Sequence, residues 1–226
     1  MTNDLIRACV FDAYGTLFDV HSAVAKHAEL LGKNSGEISK LWRTKQLEYS
    51  WVHCLMGRHE DFWELTGVAL DYALAYYNVS DERVKSVLRE SYLSLDAYPE
   101  VPAVLQRLRT AGLKTAVLSN GSPFMLTRAI HSAGLESLMD ECLSIEQVGI
   151  YKPHAFAYEI VTTTLDVRPN EVAFFSSNAW DAAGAHTFGF RSFWVNRSKQ
   201  PEEYGLHSKA TILASLEDCV GRIASK

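Results

Sequence analysis

Three short apolar runs, each stopping at a polar cluster, constrain this chain most. Ile6 to Phe11 ends at Asp12, Thr115 to Leu118 (TAVL) at Ser119-Asn120, and Val172 to Phe175 (VAFF) at Ser176-Ser177-Asn178. Such runs read as buried strands. A further apolar run, Phe190 to Val195, follows Gly189. Between them lie helical patterns: Val101, Val104, Leu105 and Leu108 repeat on one helical face, and Ala155 to Leu165 follows Lys152-Pro153. Strands alternating with helices predict an α/β fold with a parallel, doubly wound sheet. In such sheets ligands collect beyond the carboxyl ends of the strands, where all three clusters fall.

Residues 18 to 98 interrupt the alternation. Their periodicity is helical, in Phe62, Leu65, Ala69, Ala73 and Tyr76 and again in Val84, Val87, Leu88 and Leu95. The expectation is a helical cap of residues 18–98 inserted after the first strand of a core made from residues 1–17 and 99–226. Placed over the strand ends, it would exclude water and supply pocket walls. Internal repeats and low-complexity segments are absent from the sequence.

Composition narrows the partners. The 226 residues, 47% hydrophobic and 11% aromatic, suit one core domain with an insertion. The net charge of −5 comes from interspersed charges without a basic run, which disfavours nucleic acid and anionic membranes. The opening MTNDLIRA lacks a basic segment leading into an apolar one, and no apolar run approaches the ~20 residues that span a bilayer, so a cytoplasmic location is expected. Cys9, Cys54, Cys142 and Cys219 lack C-x-x-C spacing, which argues against zinc or a redox pair and for reduced thiols.

The polar clusters carry the chemistry. Asp12 has Gly15 to permit a tight turn and Thr16 to hold its carboxylate, although aspartate is common in turns generally. Lys152 alone reads as a solvated lysine, and Asp181 alone as an acid near a helix N-terminus. Three weak signals at three strand ends reinforce one another.

The segments FDAYGTLFDVHSA, LWRTKQLEYSW, AVLSNGSP, IYKPHAFAYE and FFSSNAWDAAGA resemble, in order, the motifs of the haloacid dehalogenase superfamily. Within it they resemble most the L-2-haloacid dehalogenases, from about residue 6 to about residue 197, cap included. The resemblance implies a Rossmann-like core with an inserted helical cap. It implies that Asp12 attacks C2 of an L-2-haloalkanoate, forming an aspartyl ester that water hydrolyses to a D-2-hydroxy acid. Ser119 and neighbouring backbone N–H groups would bind the substrate carboxylate, and Arg43 and Asn120 would cradle the halide. Lys152 would keep Asp12 charged, and Asp181 would activate water oriented by Ser176 and Asn178, with Thr16 and Tyr158 in support. Tyr14, Leu47, Phe62 and Trp180 would wall the alkyl group and halogen, with Ala13 also at the substrate. Thr44 stands where many members carry glutamine, and its smaller side chain is expected to alter pocket volume.

Tyr14 bears on the leaving group. Superfamily phosphatases resemble this layout but carry D-x-D, whose second acid protonates a departing alkoxide. A halide needs no such proton. Those enzymes also place an acid four residues before the position of Asp181, which here is Ser177, so part of a magnesium shell is missing and neither metal nor cofactor is expected. The family likeness further implies a homodimer. Two other readings stand beside this one: a metal-dependent phosphatase and a catalytically silent binding protein on the same scaffold.

Overall fold

The computed structural model describes residues 5–223; residues 1–4 and 224–226 of the expected core, and with them the first four residues of the MTNDLIRA stretch, lie outside them. Six strands form one sheet: β1 (Ala8–Phe11), β2 (Lys114–Ser119), β3 (Glu141–Ser144), β4 (Val172–Ser176), β5 (Arg191–Val195) and β6 (Thr211–Leu213). Their order is β3-β2-β1-β4-β5-β6, and every pair is parallel. The chain works outward from β1 to β3, then returns to β4 on the other side of β1 and works outward again. Asp12 follows β1 at that switch point, between the carboxyl ends of β2 and β4, where open α/β sheets bind ligands.

Helices α1 (Ser22–Ala25), α2 (Ala28–Leu31), α3 (Ser35–Leu55), α4 (Phe62–Tyr76) and α5 (Glu82–Ser91) lie between β1 and the next core helix, α6 (Val101–Thr110). The core continues with α7 (Pro123–Ser132), α8 (Ala155–Leu165), α9 (Ala179–Phe188) and α10 (Glu217–Ile223). Helix starts follow local chemistry: the Asp61 and Asp81 carboxylates accept the Trp63 and Arg83 N–H groups, capping α4 and α5. The fold is thus α/β, a parallel sheet with helices on both faces and a helical insertion after the first strand.

Alternation along β1 sends Cys9 and Phe11 to one face and Ala8 and Val10 to the other. The first face joins Val117, Ala173 and Phe175 to the cap residues Phe18, Trp42, Phe62, Leu65 and Leu88 in one buried cluster; the second packs with Tyr158, Val161 and Phe174. The cap therefore shares a core with the sheet. Cysteines are free thiols, with Cys9 and Cys219 buried. No helix among the described residues is long and apolar enough to cross a membrane.

Two differences from the sequence expectation are informative. β3 and β6 carry no clear strand signal in the sequence, because they are short edge strands with partly exposed residues. The apolar spacing from Val84 suggested a helix reaching Leu95, but α5 ends at Ser91 and Leu95 is buried from the following turn. Burial imposes apolar residues on turns as well as helices.

Candidate active site

The turn after β1 holds the central carboxylate. The Ala13 carbonyl accepts the N–H groups of Thr16, Leu17 and Phe18 at 2.9–3.2 Å, and Gly15 takes a φ of 94°, a left-handed geometry that glycine adopts without strain. Thr16 Oγ1 accepts the Ser177 N–H (2.8 Å), so its one proton is given to Asp12 Oδ2 (2.9 Å). Asn178 Nδ2 donates to the same oxygen (2.8 Å).

Lys152 sits wholly buried between two carboxylates. Its Nζ donates to Asp12 Oδ1 (2.8 Å), Asp181 Oδ2 (2.8 Å) and the Leu118 carbonyl (3.0 Å), using all three protons, and lies 5.5 Å from the Phe174 ring centroid. Burial opposes its charge, but Asp12 and Asp181 outweigh burial and raise its pKa above the ordinary lysine value. Burial also raises the Asp181 carboxyl, against the pull of Lys152, with the Asp12 charge adding to the rise. Asp181 Oδ1 accepts the Tyr158 hydroxyl at 2.7 Å, and burial together with that carboxylate holds the phenol well above its usual range. A buried carboxyl with a raised pKa is a stronger base than a solvated one.

The remaining residues close round this pair. Ser119 Oγ accepts the Gly121 N–H (3.0 Å). Asn120 Oδ1 accepts the Lys152 N–H (3.0 Å), while its buried Nδ2 has no partner among the described residues. Ser176 Oγ accepts the Asn178 N–H (3.1 Å). From the cap, Arg43 Nη2 donates to the Tyr14 carbonyl (3.3 Å) and lies 3.5 Å from Asn178 Oδ1. The Tyr14 ring stacks on Tyr92 (centroids 5.6 Å apart) and meets Phe62 at 6.4 Å, its buried hydroxyl without a partner among the described residues.

Leu47 and Trp180 stand outside this hydrogen-bonded group. Leu47 is half-buried on α3, one turn past Arg43. Trp180 meets the Trp51 ring edge-on at 5.3 Å, and Trp51 Nε1 donates to the Lys152 carbonyl (3.2 Å). Thr44 corrects the expectation about pocket volume: it is exposed and its hydroxyl bonds the Lys40 carbonyl, because the helical turn that aims Arg43 inward points the next residue out.

Three further residues shape the site: Gly121 and Gly184 lie within the AVLSNGSP and FFSSNAWDAAGA segments, and Arg197 lies beyond them. Arg197 donates to Ser177 Oγ (2.8 Å) and to the Gly15 and Thr16 carbonyls, while pairing with Glu100 (2.8 Å) and lying 3.9 Å from the Tyr98 ring centroid. Gly121 gives Tyr14 room: an added Cβ would stand 2.7 Å from the ring. Gly184 does the same for Tyr158, where an added Cβ would stand 2.5 Å from the hydroxyl oxygen. Among the described residues, no three His, Cys, Asp or Glu side chains are grouped to hold a metal ion.

A family profile described as haloacid dehalogenase-like hydrolase matches residues 6–189. The chain is 47% identical over 216 residues, 95% of each protein, to (S)-2-haloacid dehalogenase 1 of Pseudomonas sp. (strain CBS-3). It is 47% identical over 202 residues, 89% of this chain and 87% of the relative, to (S)-2-haloacid dehalogenase 4A of Burkholderia cepacia. Its fold matches the structure of L-2-haloacid dehalogenase from Xanthobacter autotrophicus with chloropropionic acid covalently bound, with a TM-score of 0.88, 36% identity and coverage of 96% and 97% of the two chains. The chain therefore belongs to the haloacid dehalogenase-like hydrolases and, within them, to the family of the (S)-2-haloacid dehalogenases.

Proposed function

We propose that this protein hydrolyses L-2-haloalkanoic acids to D-2-hydroxy acids, inverting C2 through an aspartyl ester on Asp12. One observation carries the reading. Asp12 is oriented by Lys152, Thr16 and Asn178, and the residue two places on is Tyr14, packed among aromatic rings. A nucleophilic carboxylate with no acid at that position suits a leaving group that departs without a proton.

In the first step an Asp12 oxygen bonds to C2 from the side opposite the halogen, and the halide leaves with the bonding electrons. Arg43 and the unpartnered Asn120 Nδ2 receive its charge. Ser119, whose Oγ accepts from Gly121 and retains its own proton, donates to the substrate carboxylate. In the second step water gives a proton to Asp181 and its oxygen bonds to Asp12 Cγ. The ester bond from Cγ breaks, the product oxygen takes up the proton, and the bond from C2 to oxygen stays intact. The raised pKa of Asp181 supports its part as base. Ser176 and Asn178 orient the water, Tyr158 orients Asp181, and Ala13, Tyr14, Leu47, Phe62 and Trp180 enclose the alkyl group. The boundaries of core and cap, residues 1–17 with 99–226 and residues 18–98, belong to this same reading.

A divalent cation does not fit this donor set. Ser177 Oγ already accepts from the Arg197 guanidinium, and Asp12 and Asp181 share the Lys152 ammonium. Halide release from the two enantiomers of 2-chloropropionate in excess EDTA tests the whole reading. Release from the L form alone, with D-lactate as product, is expected; loss of activity in EDTA, or release from the D form at a similar rate, would refute it.

The protein is also proposed to form a homodimer through the cap. Val68, Tyr72 and Tyr76 recur at four-residue spacing on α4, and all three are exposed (54%, 41% and 63%). Light scattering at micromolar concentration is expected to give twice the 25.3 kDa chain mass, and a monomer would end the proposal.

A further inference from the structure

The guanidinium of Arg43 is held from behind by a chain of buried polar groups in the cap. Nη1 donates to Gln46 Oε1 at 2.7 Å, and the Tyr92 hydroxyl donates to the same oxygen at 3.1 Å. Gln46 Nε2 donates to Thr66 Oγ1 at 2.7 Å, and the Thr66 hydroxyl donates to the Phe62 carbonyl at 2.6 Å. Gln46 and Thr66 are fully buried, and Tyr92 nearly so.

This chain has only one consistent direction. The single Thr66 proton is committed to the Phe62 carbonyl, so Thr66 Oγ1 has to accept from Gln46. The amide nitrogen of Gln46 therefore faces Thr66, and its carbonyl oxygen faces Arg43 and Tyr92. An acceptor is thus fixed behind the guanidinium by α4, not by the rotamer preference of α3.

Arg43 also lines a cavity of about 310 Å³, together with His21, Tyr98, Asn178, Arg197 and Gln200 among others. Arg43 Nη2 is held toward the site by two longer contacts, 3.3 Å to the Tyr14 carbonyl and 3.5 Å to Asn178 Oδ1. Without the short bond from Nη1, the side chain has space to swing into that cavity.

We propose that Gln46 is a positioning residue that fixes the Arg43 guanidinium at the leaving group, with Thr66 setting the orientation of its amide. The proposal rests on Arg43 receiving the halide. Gln46 touches no substrate and acts through Arg43. Its removal weakens charge stabilisation most where the leaving group needs it most, so chloride suffers more than bromide.

The test is single-turnover halide release, with enzyme in excess, from L-2-chloropropionate and L-2-bromopropionate. The proteins are wild type, Gln46→Met, Arg43→Lys and the double variant. Methionine keeps the volume and removes the acceptor. The expected result is a fall of about 10-fold or more in the saturated rate with the chloro substrate, a smaller fall with the bromo substrate, and half-saturation within about two-fold of wild type. The double variant should be no slower than Arg43→Lys alone, because both changes disable one device. Equal losses for the two halogens, or losses that multiply in the double variant, would overturn the proposal. If Gln46→Met does not fold, Thr66→Val, which frees the amide to turn, takes its place under the same criteria. A wild type that releases no halide from either substrate would overturn the proposed function and this inference with it, whereas an active wild type with equal losses would overturn this inference alone.

Discussion

Asp12→Asn is expected to lower halide release from L-2-chloropropionate by more than about 10⁴-fold in a protein that still folds. The carboxamide keeps the shape of the side chain but has no anionic oxygen to displace a halide. Folding should survive because Lys152 retains Asp181 and the Leu118 carbonyl, and Thr16 retains the Ser177 N–H. Some stability is lost, since an amide NH₂ would face either the Lys152 ammonium or the two donors that now serve Oδ2. A companion experiment on wild type separates the nucleophile from a bystander. In heavy-oxygen water under single turnover, the label should enter the Asp12 carboxylate, read by peptide mass, and not the product. Label in the product after one turnover would mean that water attacks C2 directly.

Lys152→Met is expected to cost about 3–5 kcal/mol in urea unfolding and to abolish halide release, because it leaves two buried carboxylates facing each other without their cation. Adding Asp181→Asn should recover part of the stability and none of the activity. The pH dependence has a definite sign. Because the folded-state pKa of Lys152 is raised, its contribution is full below the ordinary value of 10.5 and is lost as pH rises through the higher folded value. Asp181 is also raised, so folding favours its protonated form, and that contribution is full below 3.8 and lost as pH rises through its folded value. In the variant the missing cation raises Asp181 further, and acid relieves the penalty. The stability gap between wild type and variant should therefore be widest between the carboxylate and lysine ranges, narrowing in acid and above about pH 10.5. A gap that does not change with pH would show that lost packing, not lost charge, is the cause.

Much of the candidate site is legible in single segments, because each part carries a local signal. Asp12, Ser119 and Ser176 end apolar runs, Gly15 marks a left-handed turn, and Asp181 lies in the first turn of α9. The order of motifs then named the family. The less legible parts depend on edges and neighbours. β3 and β6 gain their strand character from pairing with β2 and β5, not from their own residues. Gly121 and Gly184 look like ordinary glycines until Tyr14 and Tyr158 are brought against them.

By itself, the sequence determined the alternation of strands and helices, the helical insertion after β1, the chemical kind of each residue at the strand ends, and the pairing of Asp12 with Tyr14 on which the proposed leaving group rests. Periodicity and turn chemistry record the burial of each short segment, which is why these features are local. Only the tertiary structure decided that Lys152, 140 residues from Asp12, closes on both carboxylates, and that Arg197 occupies Ser177. It also decided that Thr44 points outward while Gln46, two residues on, reaches inward to Thr66 and Tyr92. The physical reason is that a hydrogen bond between distant residues has no period in the chain: it exists once the sheet order and the seating of the cap bring donor and acceptor within about 3 Å.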